Sequence, residues 1–69
     1  SDTKEFIVQA LVEEAQELLR AFETGVDQEV TDELADVLSY AFTLAKMYDV
    51  EIYDIIKRKM AIVKARHYE

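Results

Sequence analysis

The sequence predicts an all-α fold: a small antiparallel helical bundle, with about three helices per chain, completed by oligomerisation. The 69 residues include no Pro and a single Gly. Apolar residues recur at helical spacing, without the sustained period-two alternation of strands. Hydrophobic residues make up 51% of the chain, which is generous for so short a monomer and favours burial against further copies. We therefore expect one domain, residues 1–69, in a homo-oligomer, with dimer and tetramer both open.

The charge balance excludes some classes of partner. A formal net charge of -7 argues against binding to nucleic-acid backbones and to anionic membrane surfaces. No apolar run approaches the roughly 18 residues of a membrane span, and no signal-peptide pattern is present. The chain has no Cys, which is compatible with a reducing compartment. We expect a cytoplasmic protein.

The first helix is predicted from the N-terminus to about Glu23. Residues 1–3 supply N-cap candidates, and Asp2 with Glu5 has capping-box spacing. The helix should stop at Thr24 and Gly25, because Gly25 can take the left-handed conformation that ends helices.

Residues follow one another at about 100° around a helix axis, which places Glu14 at the centre of an apolar stripe with Ile7, Leu18 and Ala21. Glu17 lies about 60° away on this scale, and Glu13 points elsewhere. A second apolar arc covers much of the rest of the helix and suggests a subunit interface; it comprises Val8, Val12, Ala15, Leu19 and Phe22.

The second helix should begin near Asp27 or Thr31, either of which can cap it, and continue to about Tyr48. It is apolar almost all round, which predicts a central, buried helix. Glu33 and Asp36 lie at the margin of its narrow polar sector.

The third helix should begin near Asp49 or Glu51. Its apolar stripe comprises Ile52, Ile56, Met60, Val63 and His67. Lys59 and Arg66 lie together on one side of that stripe. We interpret His67, the only histidine, as a packing or surface residue.

Two short acidic segments are the candidate site. Glu14 with Glu17, and Glu33 with Asp36, are spaced so that each pair shares a helix side. Two packed helices can bring these four carboxylates together. Such a cluster needs positive charge; Lys59 or Arg66 could supply part of it, but Mg²⁺ or Mn²⁺ suits an all-carboxylate set better. Solvated helix acids are the structural alternative, and the di-iron alternative is weak because both segments end in an acid instead of His.

The two segments, Val12-Glu-Glu-Ala-Gln-Glu-Leu18 and Glu33-Leu-Ala-Asp-Val-Leu38, resemble the MazG-like branch of the all-α nucleoside triphosphate pyrophosphatases. That family carries EExxE, a spacer and ExxD; here the spacer between Glu17 and Glu33 has 15 residues. The resemblance implies Mg²⁺-dependent hydrolysis of a (deoxy)nucleoside triphosphate to the monophosphate and pyrophosphate. It also implies that Glu14, Glu17, Glu33 and Asp36 are the catalytic metal ligands.

In the third helix the resemblance implies that Lys59 and Arg66 hold phosphate or nucleotide. Val63 stands where the family has Asn, and His67 precedes Tyr68. Two alternatives therefore stay open: a non-catalytic helical oligomerisation module that keeps the scaffold, and a relative cleaving phosphoribosyl-ATP. The base and sugar preference is also open.

Overall fold

A computed structural model describes residues 3–67, which form three α-helices and no strand. The helices are α1, Thr3–Thr24; α2, Asp27–Met47; and α3, Ile52–His67. The all-α prediction with three helices is confirmed. The predicted cap at residues 1 and 2 and the side chain of His67 lie outside the described part. None of the described helices is both long and apolar enough to cross a bilayer.

Helices α1 and α2 form an antiparallel hairpin, because only residues 25 and 26 separate them and they pack along their length. The ammonium of Lys4, at the start of α1, lies 4.5 Å from the ring centroid of Tyr48, just beyond the end of α2. Ile7, Ala21 and Ala45 are buried in the seam. The start of α1 and the end of α2 are therefore held together by a cation–π contact, and the seam between the two helices is packed by small apolar side chains.

The hairpin connection is built by Gly25 and Thr24. Gly25 has φ +76°, and its N–H donates to the carbonyl of Phe22 at 3.1 Å. The predicted helix stop is confirmed. The hydroxyl of Thr24 donates to Glu29 Oε2 at 2.8 Å and so ties the end of α1 to the first turn of α2.

The predicted cap of α2 is wrong. Its N-cap residue is Val26, which makes no side-chain capping hydrogen bond. Asp27 is the first helical residue, and the hydroxyl of Thr31 donates to the carbonyl of Gln28 at 3.1 Å. The charge of Asp27 can still interact favourably with the dipole at this helix end.

Helix α2 is not buried within one chain, contrary to the expectation from its composition. Only Ala45 is buried, while Leu34, Leu38 and Phe42 are 42%, 47% and 55% exposed. The reason is that α2 packs closely against α1 alone. An apolar helix is buried only where neighbouring elements surround it, and here one side has a neighbour.

A four-residue turn, 48–51, separates α2 from α3. Asp49 has φ +56°, its N–H donates to Lys46 O at 3.1 Å, and the N–H of Val50 donates to Ala45 O at 3.1 Å. These two bonds make a Schellman motif with Asp in the position usually taken by Gly. Glu51 immediately precedes α3 and accepts a bond from Ile55 N at 3.1 Å, in line with the predicted start.

Helix α3 does not pack closely on the hairpin. Tyr53 and Met60 are 72% and 66% exposed. The Cα radius of gyration is 14.7 Å, against about 11 Å for a compact chain of this length. The third helix is an arm that leaves the hairpin at the Tyr48 end.

Replacing Gly25 by Ala should lower the free energy of unfolding by about 1 kcal/mol, because an L side chain is disfavoured at positive φ. A Cβ there would meet nothing within 4 Å, so the cost is one of backbone conformation alone. Urea denaturation measures it. Asp49→Gly, at the other left-handed position, is the control and should not destabilise. Equal stability of Gly25→Ala and the parent chain would contradict this account.

Candidate metal centre

Three carboxylates from two helices meet on one side of the hairpin. Glu14 comes from the middle of α1, and Glu33 and Asp36 come from the first half of α2. One oxygen of each lies within 4.8 Å of the others. The i,i+3 spacing sets Glu33 beside Asp36, and the antiparallel pairing of the helices brings Glu14 opposite them. We call these three side chains the acidic cluster.

The acidic cluster has an oxygen without a partner. Glu33 Oε2 is buried and accepts no hydrogen bond within the described part of the chain. The pKa of Glu33 is raised, mainly because the carboxyl group is desolvated. Hydrogen bonding between the carboxyl groups of Glu33 and Glu14 raises this pKa further, as does charge repulsion from Glu14 and then from Asp36 and Glu17. The site therefore disfavours a full set of negative charges unless a cation or a proton compensates them.

The donor set fits a hard divalent cation. Carboxylate oxygens are the ligands that Mg²⁺ and Mn²⁺ prefer, and Mg²⁺ is commonly held by one or two carboxylates together with water and phosphate oxygens. The unpartnered Glu33 oxygen points to the same fit, because a cation would supply the interaction that the protein itself does not provide.

Glu17, predicted as the fourth ligand, is not one of the residues in the cluster. Its carboxylate instead pairs with the guanidinium of Arg20, one turn further along α1. This hydrogen-bonded pair raises the pKa of Arg20 above its usual range. Both side chains are well exposed, at 48% for Glu17 and 62% for Arg20. An exposed i,i+3 pair contributes little stability, so this one can be exchanged at small cost.

A polar cleft continues from Glu33 towards the hairpin connection. Its lining residues are Glu17, Arg20, Ala21, Thr24, Glu29, Asp32 and Glu33. Arg20 is the one cation among them. The sequence reasoning did not single out Arg20; its spacing from Glu17 was the available signal, since i,i+3 pairs of opposite charge meet on a helix.

Lys59 and Arg66, the predicted nucleotide-binding residues, are exposed on α3. The structure does not bring them to the acidic cluster, because α3 does not pack closely on α1 or α2. Lys59 instead borders an apolar depression on α3 beside Ile55, Met60 and Ile62.

Without metal, Glu33→Gln should raise the melting temperature by a few degrees at neutral pH. The pKa of Glu33 is raised in the folded state, so ionisation destabilises the fold as the pH rises from the ordinary Glu pKa of about 4.3. Below that pH both states are protonated, and the advantage of the variant should vanish. Thermal melts in EDTA from about pH 3.5 to about pH 8, a range that spans the titration of a carboxyl group, measure the difference in melting temperature between the variant and the parent chain. The exposed Glu13→Gln is the control, and an equal gain for both variants would contradict the prediction.

Comparison with known proteins gives a family. Residues 2–69 match the sequence model described as the MazG nucleotide pyrophosphohydrolase domain. Searches of curated proteins and of solved structures found no match to the chain. The family match thus covers nearly the whole chain, including both acidic segments and α3.

Proposed function

The chain belongs to the MazG nucleotide pyrophosphohydrolase family, and on that premise we propose that it hydrolyses (deoxy)nucleoside triphosphates to monophosphates and pyrophosphate with Mg²⁺, or Mn²⁺, as cofactor. The observation that carries the proposal is the convergence of Glu14, Glu33 and Asp36 within 4.8 Å. The buried, unpartnered oxygen of Glu33 supports it, because structural ion pairing does not explain that atom.

Each residue of the site would have a separate role: binding the metal ion, accepting a proton or binding phosphate. Glu14, Glu33 and Asp36 hold the ion, and Glu17 joins them when it leaves Arg20. When bound, Mg²⁺ neutralises charge on the triphosphate oxygens and acidifies the attacking water. One carboxylate of the set accepts the proton of that water. Arg20, once released by Glu17, stays in the same cleft with a free guanidinium suited to a phosphate oxygen.

Lys59 and Arg66 are proposed to bind phosphate or nucleotide. In a single chain they lie on α3, which leaves the hairpin. That role therefore requires a second copy of the chain to supply α3, and we propose a homo-oligomer, either dimer or tetramer. The uncovered apolar side chains Leu38 and Phe42 support assembly.

The direct test is hydrolysis of a panel of canonical and modified (d)NTPs, with phosphoribosyl-ATP included, in Mg²⁺ and in EDTA. We expect monophosphate and pyrophosphate as products, and no turnover in EDTA. Cleavage of phosphoribosyl-ATP alone would assign the alternative substrate. If no substrate is turned over, and calorimetry detects no Mg²⁺ binding with or without nucleotide, the chain is a non-catalytic module. Val63, which stands where the family has Asn, favours that alternative.

Glu17→Gln should weaken Mg²⁺ binding less than Glu14→Gln does, because Glu17 must first leave Arg20 whereas Glu14 already lies in the cluster. Arg20→Gln should bind Mg²⁺ as tightly as the parent chain or slightly tighter, since it frees Glu17 from a pair of about 0–1 kcal/mol. Calorimetric titration without nucleotide measures all three. Weaker Mg²⁺ binding by Arg20→Gln would contradict the exchange.

A further inference from the structure

The polar cleft between the acidic cluster and the hairpin connection is small. Its volume is about 270 Å³, whereas pockets that enclose a drug-sized ligand hold roughly 300–1,000 Å³. Glu33 lines the cleft and also belongs to the acidic cluster, where one of its oxygens is buried and unpartnered. A ligand held at the acidic cluster can therefore place a small end group, but not a whole nucleotide, in the cleft.

Arg20 supplies the positive charge of this cleft. Helices α1 and α2 of the described hairpin hold three bases, and the other two, Lys4 and Lys46, lie near the opposite end. The pKa of Arg20 is raised mainly by its hydrogen bond with Glu17 and by the charge of that carboxylate, and the charge of Glu33 adds to the effect. The guanidinium is therefore within electrostatic reach of the acidic cluster as well as of its ion-pair partner.

Without metal, the charges of the cleft oppose an anion. Four carboxyl groups and one guanidinium line it, a formal net charge of -3. The guanidinium is engaged by Glu17, so none of the described residues offers the cleft a free cation. A surface of this sign repels phosphate groups. Free pyrophosphate should therefore bind weakly to the metal-free chain.

A bound divalent ion would remove both obstacles. In the proposed function Glu17 leaves Arg20 and joins the acidic cluster, where the ion lowers the negative charge at the edge of the cleft. The guanidinium is then free to donate two parallel N–H bonds to phosphate oxygens, for which the planar side chain of arginine is suited. The exposed Glu17–Arg20 pair is weak, so its exchange costs little.

The chemistry of the cleft selects the phosphate end of the substrate over the nucleoside. Among the described residues that line it, Ala21 alone is apolar. A nucleobase needs an aromatic or apolar surface on which to stack, and the cleft does not provide one. Its wall is instead fixed by polar bonds, since Thr24 donates to Glu29 at 2.8 Å and Asp32 accepts a bond from Gln28 at 2.8 Å.

We propose that the polar cleft binds the leaving pyrophosphate of the substrate through Arg20, and that the Glu17–Arg20 ion pair keeps this subsite closed until a metal ion takes Glu17. The nucleoside then extends towards the Tyr48 end of the hairpin. The inference rests on the proposed function and goes beyond it by naming the ligand of the cleft, the direction of the substrate and the order of binding. Pyrophosphate is a product, so its binding is measured without turnover.

Calorimetric titration with pyrophosphate in Mg²⁺ tests the role of Arg20. Arg20→Gln should weaken binding about tenfold, and Arg20→Lys, which keeps the charge but loses the planar fork, should weaken it about threefold. Deoxynucleoside monophosphates should bind within about twofold of the parent value in both variants, because groups without a shared contact act independently. Arg20→Gln is expected to retain its Mg²⁺ affinity, so a loss of pyrophosphate binding does not come from a loss of metal.

The same titration in EDTA tests the ion pair. Glu17→Gln frees Arg20 and should bind pyrophosphate about tenfold more tightly than the parent chain. Asp32→Asn is the matched control: it removes the same charge from the same cleft, leaves the ion pair intact and should change the affinity less than about threefold. Glu17→Gln combined with Arg20→Gln should lose the gain. Circular dichroism verifies that each variant is helical.

Three results would each overturn the inference. These are equal pyrophosphate affinity of Arg20→Gln and the parent chain in Mg²⁺, equal gains for Glu17→Gln and Asp32→Asn in EDTA, and parallel losses of pyrophosphate and monophosphate binding in Arg20→Gln. The proposed function fails separately: a chain that hydrolyses no nucleotide can still show the expected pyrophosphate binding, and an active chain can lack any effect of Arg20→Gln on it.

Discussion

Glu14→Gln, Glu33→Gln and Asp36→Asn are each expected to lower the turnover of nucleoside triphosphates by about 10²–10³-fold. Each change keeps the shape of the side chain and removes one anionic oxygen from a group whose oxygens lie within 4.8 Å of one another. A neutral amide is a much weaker ligand for a hard divalent cation. The rate of pyrophosphate release under saturating Mg²⁺ is the measurement.

Glu13→Gln is the matched control for this series. Glu13 neighbours Glu14 in the chain and belongs to the same acidic segment, but it is exposed and is not one of the cluster residues. It should retain turnover within about threefold of the parent chain, as expected of an exposed group that takes no part in the chemistry. Turnover close to that of the parent chain in all three cluster variants would overturn the ligand assignment. Melting temperatures in EDTA that are no lower than that of the parent chain show that a loss of turnover does not come from unfolding.

Leu38→Asp is expected to lower the free energy of unfolding by about 2–4 kcal/mol and to shift the protein towards monomer. In one chain Leu38 is 47% exposed, and an exposed substitution would cost less than about 0.5 kcal/mol. The larger value follows only if a second copy covers Leu38, since the carboxylate would then lose its water. Urea denaturation at two protein concentrations measures the cost, because an assembly that dissociates on unfolding is stabilised by mass action.

Ser39→Asp is the control for Leu38→Asp, because it adds the same charge one residue further along α2 at an exposed polar position. It should cost less than about 0.5 kcal/mol and leave the oligomeric state unchanged. Equal, small costs for both variants, independent of protein concentration, would mean that this side of α2 faces solvent in the functional protein.

Glu33→Gln is expected to change stability and turnover in opposite directions. Glu33→Gln is expected to stabilise the metal-free chain, since desolvation and neighbouring carboxylates disfavour its charge. The same change is expected to lower turnover by about 10²–10³-fold. A gain in stability on losing a functional group is what a site under electrostatic strain should show.

The sequence by itself determined the three helices and their breaks. Helical spacing of apolar residues is a local property, and Gly25 ends α1 as predicted because the need for a positive φ is also local. The acidic segments were visible for the same reason: residues three apart share a helix side wherever the helix lies. The N-cap of α2 was missed, since the backbone of Val26 adopts the extended cap conformation without any side-chain bond.

Only the tertiary structure decided which acids meet and which apolar residues are buried. The helical periodicity predicted that Glu14 and Glu17 both face the neighbouring helix. In the structure Glu17 pairs with Arg20, whereas Glu14 lies in the acidic cluster with residues of α2. Composition predicted that α2 is buried, yet Leu34 and Leu38 are exposed because α3 leaves the hairpin. Burial and charge compensation depend on distances between segments remote in sequence, whereas a helical pattern fixes only which residues share a face.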